Sequence, residues 1–202
     1  GGDGSFDFTS TTLTPSAFTI STTAGTGYRQ FINLTPGTYD VAETVPTGWE
    51  LDSATCNNGD DINAIELGPG DDVICTFTNN KLPKLTLLKT VVNNYGGTKV
   101  VSDFPLFIGT TPATSGVAYT LTPGSYVASE TQQFGYTASK WGGDCAEDGG
   151  VTLAYGDDKT CTITNSDIQP MLYVIKVVEN LGYGTKLPED FTMYVTGTNV
   201  SK

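Results

Sequence analysis

Residues 34–48 read LTPGTYDVAETVPTG, and residues 121–135 read LTPGSYVASETQQFG. Leu34 and Leu121, Glu43 and Glu130, and Gly48 and Gly135 are each 87 positions apart. In both stretches a Pro-Gly turn opens a run in which apolar and polar residues alternate, the period of a half-buried strand. An internal repeat takes precedence over any local assignment, because it sets the unit that must bury its own core.

Both copies run on to a first cysteine, Cys56 or Cys145. Each then reaches an acidic turn and a second cysteine, in GPGDDVIC (68–75) and AYGDDKTC (154–161). The endings match too: CTFTN closes on Asn79 and CTITN on Asn165. A further pair is LLKTVVNNYGGTKVVSDFPLFI from Leu87 and VIKVVENLGYGTKLPEDFTMYV from Val174. Here Lys89 and Lys176, Lys99 and Lys186, and Phe104 and Phe191 again stand 87 apart. The period is too long for a solenoid turn and fits tandem domains. The expected organisation is a unit over 1–80 without its first strand, a complete unit over 84–166, and the opening strands of a third over 171–202. Short linkers fall at 81–83 and 168–170.

The secondary structure expected is all-β. In the complete unit, strands are predicted near 84–93, 103–109, 116–121, 124–131, 135–141, 150–155 and 159–166. Turn residues at 94–97, Pro123-Gly124, 142–144 and 156–158 separate them. In the first unit, strands are predicted near 5–10, 17–22 and 27–33, and nothing like the 84–93 strand precedes them. No segment sustains a 3.6 period. Short strands at this spacing indicate small Ig-like β-sandwiches.

Composition narrows the function. The 202 residues carry 10 Lys plus Arg, 22 Asp plus Glu, 4 Cys and no His, for a net charge of −12. Threonine, at 33 positions, is the commonest residue. Lacking histidine, the chain has neither the commonest general base nor the commonest metal ligand. The acidic balance argues against nucleic acid, and no apolar run approaches the ~20 residues that span a bilayer. Nothing resembles a signal peptide, so the chain reads as mature or as a fragment. No cofactor or metal is expected.

The cysteines fall two to a unit, Cys56 with Cys75 and Cys145 with Cys161, on neighbouring strands. A four-cysteine zinc site is the alternative, but no CxxC spacing supports it. Disulfides place the protein in an oxidising, extracellular setting.

Strand parity singles out three polar residues. Leu85, Leu87, Lys89 and Val91 share one face, as do Tyr126, Ala128 and Glu130, and Cys161, Ile163 and Asn165. If the apolar members form the core, Lys89, Glu130 and Asn165 are carried inward with them. One reading is a Lys–Glu ion pair at the core's edge with Asn165 capping the last strand. The other is chemical. Burial favours the neutral amine and neutral acid, so Lys89 can attack the Asn165 carboxamide while Glu130 moves protons. The product is an amide tying the first strand to the last.

These residues carry a family resemblance. LTLLK, the twice-present PG[ST]Yx[VA]xE box and the terminal TITN resemble the prealbumin-like, collagen-adhesin B-type (SpaA-like) domains of bacterial surface and pilin proteins. The resemblance covers 84–165 and most of 1–80. It implies a self-formed isopeptide bond on Lys89, Glu130 and Asn165, and cell-surface fibres, pili or adhesin stalks. A disulfide in each unit departs from many isopeptide-bearing relatives, and the bridge could substitute for the isopeptide.

The ends suggest assembly. The first unit has Glu43 and Asn79 but no counterpart of Lys89. The segment MLYVIKVVEN supplies that lysine as Lys176, with Leu172, Val174 and Val178 on its face. The expectation is head-to-tail self-association, the segment filling the open slot of the next molecule as a donor strand. Lys176 would then bond to Asn79 with Glu43 assisting. The plain alternative is a piece of a longer array. Weaker candidates complete the reading: acidic turns at Asp60-Asp61, Asp71-Asp72 and Asp157-Asp158 that could take calcium, sequons at Asn33 and Asn199, and Trp49, Trp141, Tyr136 and Tyr155 as a sugar-binding face. The function expected is a structural subunit, not an enzyme, with a ligand- or glycan-binding adhesin module as the alternative.

Overall fold

The computed structural model describes residues 2–197. The chain up to Ile168 forms one compact body, and the chain from Gln169 onward forms another.

The first repeat unit contains β1 (Ser5–Thr9), β2 (Ala17–Ser21), β3 (Gly37–Tyr39), β4 (Ala42–Thr44), β5 (Trp49–Cys56), β6 (Ile65–Leu67) and β7 (Cys75–Lys81). The second contains β8 (Lys84–Val92), β9 (Leu106–Ile108), β10 (Thr111–Ala113), β11 (Ala118–Thr120), β12 (Gly124–Glu130), β13 (Tyr136–Ala138), β14 (Gly142–Gly143), β15 (Gly150–Leu153) and β16 (Asp158–Asp167).

The second unit is a two-sheet sandwich. One sheet runs β10-β9-β12-β15 and the other β11-β8-β16-β13, with β14 also on β16. The first and last strands, β8 and β16, lie side by side and parallel. Their inward residues Leu85, Leu87, Cys161 and Ile163 meet Leu106, Ile108, Ala128, Val151 and Leu153 of the facing sheet in one core. Alternation in and out along each strand is what allows a layer this thin to have an apolar interior.

The first unit keeps one of these sheets. β1 pairs with β2 and β4, and Glu43 stands opposite Phe8 as Glu130 stands opposite Leu106. The other sheet is reduced to β5 and β7. Among the described residues nothing occupies the edge of β7 that β8 occupies on β16. The inward residues of β7, Cys75, Phe77 and Asn79, are accordingly half-buried, whereas Cys161, Ile163 and Asn165 of β16 are fully buried.

Two strand expectations need correction. Alternation over 27–33 predicts a strand, and the structure has none there; Tyr28 and Ile32 are exposed. The counterpart, β11, exists by pairing with β8, Tyr119 opposite Leu85. Without a strand in the β8 position, 27–33 has no ladder to join. Likewise the structure assigns no strand within 171–197, only a short 3-10 turn at Pro188–Asp190. An alternating run with no partner leaves its backbone groups to water and does not hold a strand.

Two aspartates fix chain reversals. Asp40 accepts hydrogen bonds from the Thr12 hydroxyl (2.6 Å) and from the Thr11 N–H (2.9 Å) and hydroxyl (2.9 Å). The Thr12 hydroxyl, then the Thr11 N–H, hold its carboxyl down at about 2. The folded value lies below the ordinary carboxylate value, so this contribution is complete above that value and is lost as pH falls toward about 2. We expect Asp40→Asn to lessen the acid sensitivity of the first unit. Urea unfolding at about pH 5 and about pH 2 checks this; an unchanged difference between the two pH values contradicts it. In the second unit Asp167 accepts the N–H groups of Asn94 (2.7 Å), Tyr95 (2.7 Å) and Gly97 (2.9 Å), closing the turn after β8. A side chain on Gly97 would collide with the Tyr136 hydroxyl. We therefore expect Gly97→Ala to lower the thermal midpoint of the second unit, and an unchanged midpoint contradicts the tight-turn account.

Candidate functional site

β8 builds the site by continuing a simple pattern. Leu85 and Leu87 fix its inward face, and the next residue on that face is Lys89, which is 4% exposed. Across the parallel ladder Ile163 stands level with Lys89 and Asn165 with Val91. Asn165 is 1% exposed. The acid comes from the facing sheet, where Glu130 ends β12. Amine and amide therefore belong to neighbouring strands of one sheet, and the carboxyl reaches the amine from the other.

Lys89 Nζ donates to Glu130 Oε2, with 0% and 5% of the two side chains exposed. The Phe104 ring lies 4.6 Å from Nζ, and it packs edge-on against Tyr136. Burial pulls the Lys89 amine below its ordinary value, opposed by the Glu130 hydrogen bond and charge. Desolvation thus works toward the neutral, nucleophilic amine. Two acceptors are left over: Glu130 Oε1 and Asn165 Oδ1 are buried with no hydrogen-bond partner. A buried unsatisfied acceptor costs about 1–3 kcal/mol, so each of the two calls for an explanation.

The same arrangement recurs, incomplete, in the first unit. Asn79 Nδ2 donates to Glu43 Oε1 at 2.6 Å. Glu43 Oε2 and Asn79 Oδ1 are buried without partners, the counterparts of the two orphans in the second unit. Burial pushes the Glu43 carboxyl up, while the Asn79 hydrogen bond pulls it down. Among the described residues no lysine forms an ion pair with Glu43.

Lys176 lies in the body that begins at Gln169. Its Nζ sits 4.4 Å from the Phe191 ring, the contact that Lys89 makes with Phe104. Other details of the second unit's opening are repeated there. Leu187 N–H donates to Asp190 Oδ2 (2.9 Å) as Val100 N–H does to Asp103 Oδ2 (2.8 Å). Asn180 Nδ2 donates to the Lys186 carbonyl (2.7 Å) as Asn93 Nδ2 does to that of Lys99 (3.0 Å).

Both disulfides are present, Cys56–Cys75 and Cys145–Cys161. The first joins directly opposed residues of β5 and β7. The second ties the buried middle of β16 to the loop before β15.

The weaker candidates are placed as follows. Asp60, Asp61, Asp71 and Asp157 accept the N–H of Glu66, Asn63, Gly68 and Ala154 respectively, each bond 2.8–2.9 Å, and so close their own turns. Among the described residues no group of three or more acidic or cysteine side chains could hold a metal. Asn33 is exposed with φ of 59°; Asn199 lies outside the described residues. Trp49 packs edge-on against Phe6 at 5.1 Å, and Trp141 packs on the second core. Tyr136 donates to Asn93, and the Tyr155 hydroxyl donates to Glu50 at 2.6 Å. Parity alone does not single out Phe104. Phe104 was signalled only by its repeat partner Phe191, and Asp167 by sharing the inward face of Asn165.

No helix is long and apolar enough to cross a membrane. Residues 1–81 and residues 81–163 each match a SpaA-type family described as a prealbumin-like fold domain. No curated protein matches the chain. The solved structures it matches include two major pilin proteins from Streptococcus pyogenes. T-13 is 14% identical over 82% of this chain and 90% of that one, with a TM-score of 0.26. T3.2 is 12% identical over 83% and 91%, with a TM-score of 0.28.

Proposed function

Because the chain belongs to the SpaA-type family of prealbumin-like fold domains, with two such domains in tandem, we propose that it is a structural subunit of an extracellular fibre, pilus or surface stalk. The observation that carries this reading is the buried Lys89–Glu130–Asn165 set between the first and last strands of the second unit. In a chain linked at both ends, load enters through β8 and leaves through β16. A covalent bond between those strands lets the load bypass the sandwich.

The chemistry balances without a cofactor. Neutral Lys89 Nζ attacks Asn165 Cγ, and a new C–N bond forms as the bond from Cγ to Nδ2 breaks. Glu130 takes the proton from Nζ and passes it to Nδ2, which leaves as ammonia. A proton on Glu130 Oε1 would also give Asn165 Oδ1 a donor, removing both orphaned acceptors and polarising the carbonyl under attack. The reaction happens once, on the protein's own side chains, and calls for no turnover on any substrate. Disulfides that persist only in oxidising surroundings agree with a site outside the cytosol.

Single-molecule stretching tests the reading. Pulled from both ends under reducing conditions, the parent's second unit is expected to release almost no chain. Lys89→Arg is expected to release the whole unit. Full extension of the parent's second unit overturns the proposal.

A further inference from the structure

We propose that Tyr136 is a positioning residue for the amide-forming step: it holds the Phe104 ring against Lys89 Nζ and so keeps water from the amine. The inference rests on reading Lys89, Glu130 and Asn165 as a bond-forming set.

Three observations carry it. The first is a chain of contacts that starts at the amine. Phe104 is 1% exposed, its ring lies 4.6 Å from Nζ, and Tyr136 meets that ring edge-on at 5.4 Å.

The second is the way Tyr136 is itself fixed. Its hydroxyl donates to Asn93 Oδ1 and accepts the Lys99 N–H at 3.1 Å, while Asn93 Nδ2 donates to the Lys99 carbonyl at 3.0 Å. Asn93 and Lys99 bracket the turn that leads out of β8, the turn whose N–H groups Asp167 takes. One hydroxyl thus ties the end of the strand that bears Lys89 to β13, which lies beyond β16 in the sheet.

The third is recurrence. Trp49 stands 87 positions before Tyr136. It meets Phe6 edge-on at 5.1 Å, with the same 76° between the ring planes. Phe6 lies two residues before Phe8, the partner of Glu43, as Phe104 lies two before Leu106, the partner of Glu130. Both units therefore set an edge-on aromatic pair at the same place relative to the acid.

The chemistry gives the pair its use. Lys89 and Glu130 hold the same number of protons as an ion pair or as neutral amine and neutral acid, and only the neutral amine has a lone pair with which to attack. Water at the site stabilises the ion pair, and its exclusion favours the neutral pair. The face of a ring favours an ammonium, so what Phe104 contributes to the reaction is the exclusion of water. Burial is accordingly the largest influence on the amine and draws it down. The ionisable groups Asp103, Asp167 and Tyr119 on the surrounding elements are engaged by backbone N–H groups of Val100, Asn94 and Thr114. Replacing Tyr136 by phenylalanine keeps the ring and strips the hydroxyl. Asn93 Oδ1 loses its donor and the Lys99 N–H its acceptor, and a water that satisfies both sits against the edge of Phe104.

The test begins from the full chain recovered unfolded, and hence unbonded. It is refolded, and the loss of one ammonia is followed by mass. Tyr136→Phe is expected to slow that loss by about tenfold or more. Val151→Ala, a core change on β15, serves as the control: at a temperature where every variant is fully folded it bonds at the parent's rate, so lowered stability alone does not explain the slowing. A second readout uses Asn165→Ala, in which no bond can form. Exchange of the Lys89 Nζ protons with water, read by nitrogen NMR, is expected to be about tenfold faster or more when Tyr136→Phe is added. A parent that never loses ammonia overturns the reading of the triad and this inference with it. A parent that loses ammonia no faster than Tyr136→Phe, or an exchange rate that Tyr136→Phe leaves unchanged, overturns this inference alone.

Discussion

In a chain kept unbonded by Asn165→Ala, adding Glu130→Ala is expected to lower the stability of the second unit by about 3–5 kcal/mol, the cost of removing one partner from a buried charge pair. The Lys89 side chain is fully buried, and its ammonium has Glu130 as its ion-pair partner and the Phe104 face beside it. Removing the carboxylate leaves the amine to shed its proton or to draw in water, and either destabilises the fold. Combining Lys89→Met with Glu130→Leu is expected to recover most of the loss, since an apolar pair of similar volume replaces a buried ion pair at little net cost. Urea unfolding of the Asn165→Ala chain, alone and with the Glu130 change or the Lys89–Glu130 pair of changes added, checks this. An added Glu130→Ala that costs less than about 1 kcal/mol would mean that the pair is solvated, contrary to its burial.

The second large effect concerns Cys145–Cys161. Replacing both cysteines with alanine is expected to destabilise the second unit by about 3 kcal/mol, from the freedom regained by a loop of this size in the unfolded chain. Their separation is 16 positions, and Cys161 is fully buried at the centre of β16. The double replacement leaves a small deficit of packing and no stray thiol. Thermal unfolding with and without reductant separates the two contributions: reductant should shift the parent and not the variant. Equal shifts in both would contradict a stabilising bridge.

Much of this architecture is legible in the sequence, and the exceptions have physical causes. Parity along Leu85, Leu87 and Lys89, and along Cys161, Ile163 and Asn165, is local and survives folding, because both strands have neighbours on each side. The 27–33 and 171–197 stretches carry the same alternation and form no strand. Alternation records which side chains suit a core; it says nothing of whether a partner strand is there to take the backbone hydrogen bonds. The Asp40 and Asp167 clamps join residues 28 to 73 positions apart, and a lone aspartate in a polar stretch gives no sign of its distant donors. The orphaned acceptors in both units depend on which polar atoms the packing buries, which only the fold determines.

Closure of a bond between the first and last strands of the second unit is read by the intact mass of the reduced chain, followed by mapping of its peptides. The account predicts a mass one ammonia below that of the sequence and a branched peptide joining Lys89 to Asn165, both absent from Glu130→Ala. The full sequence mass, with Lys89 and Asn165 in separate peptides, would contradict it.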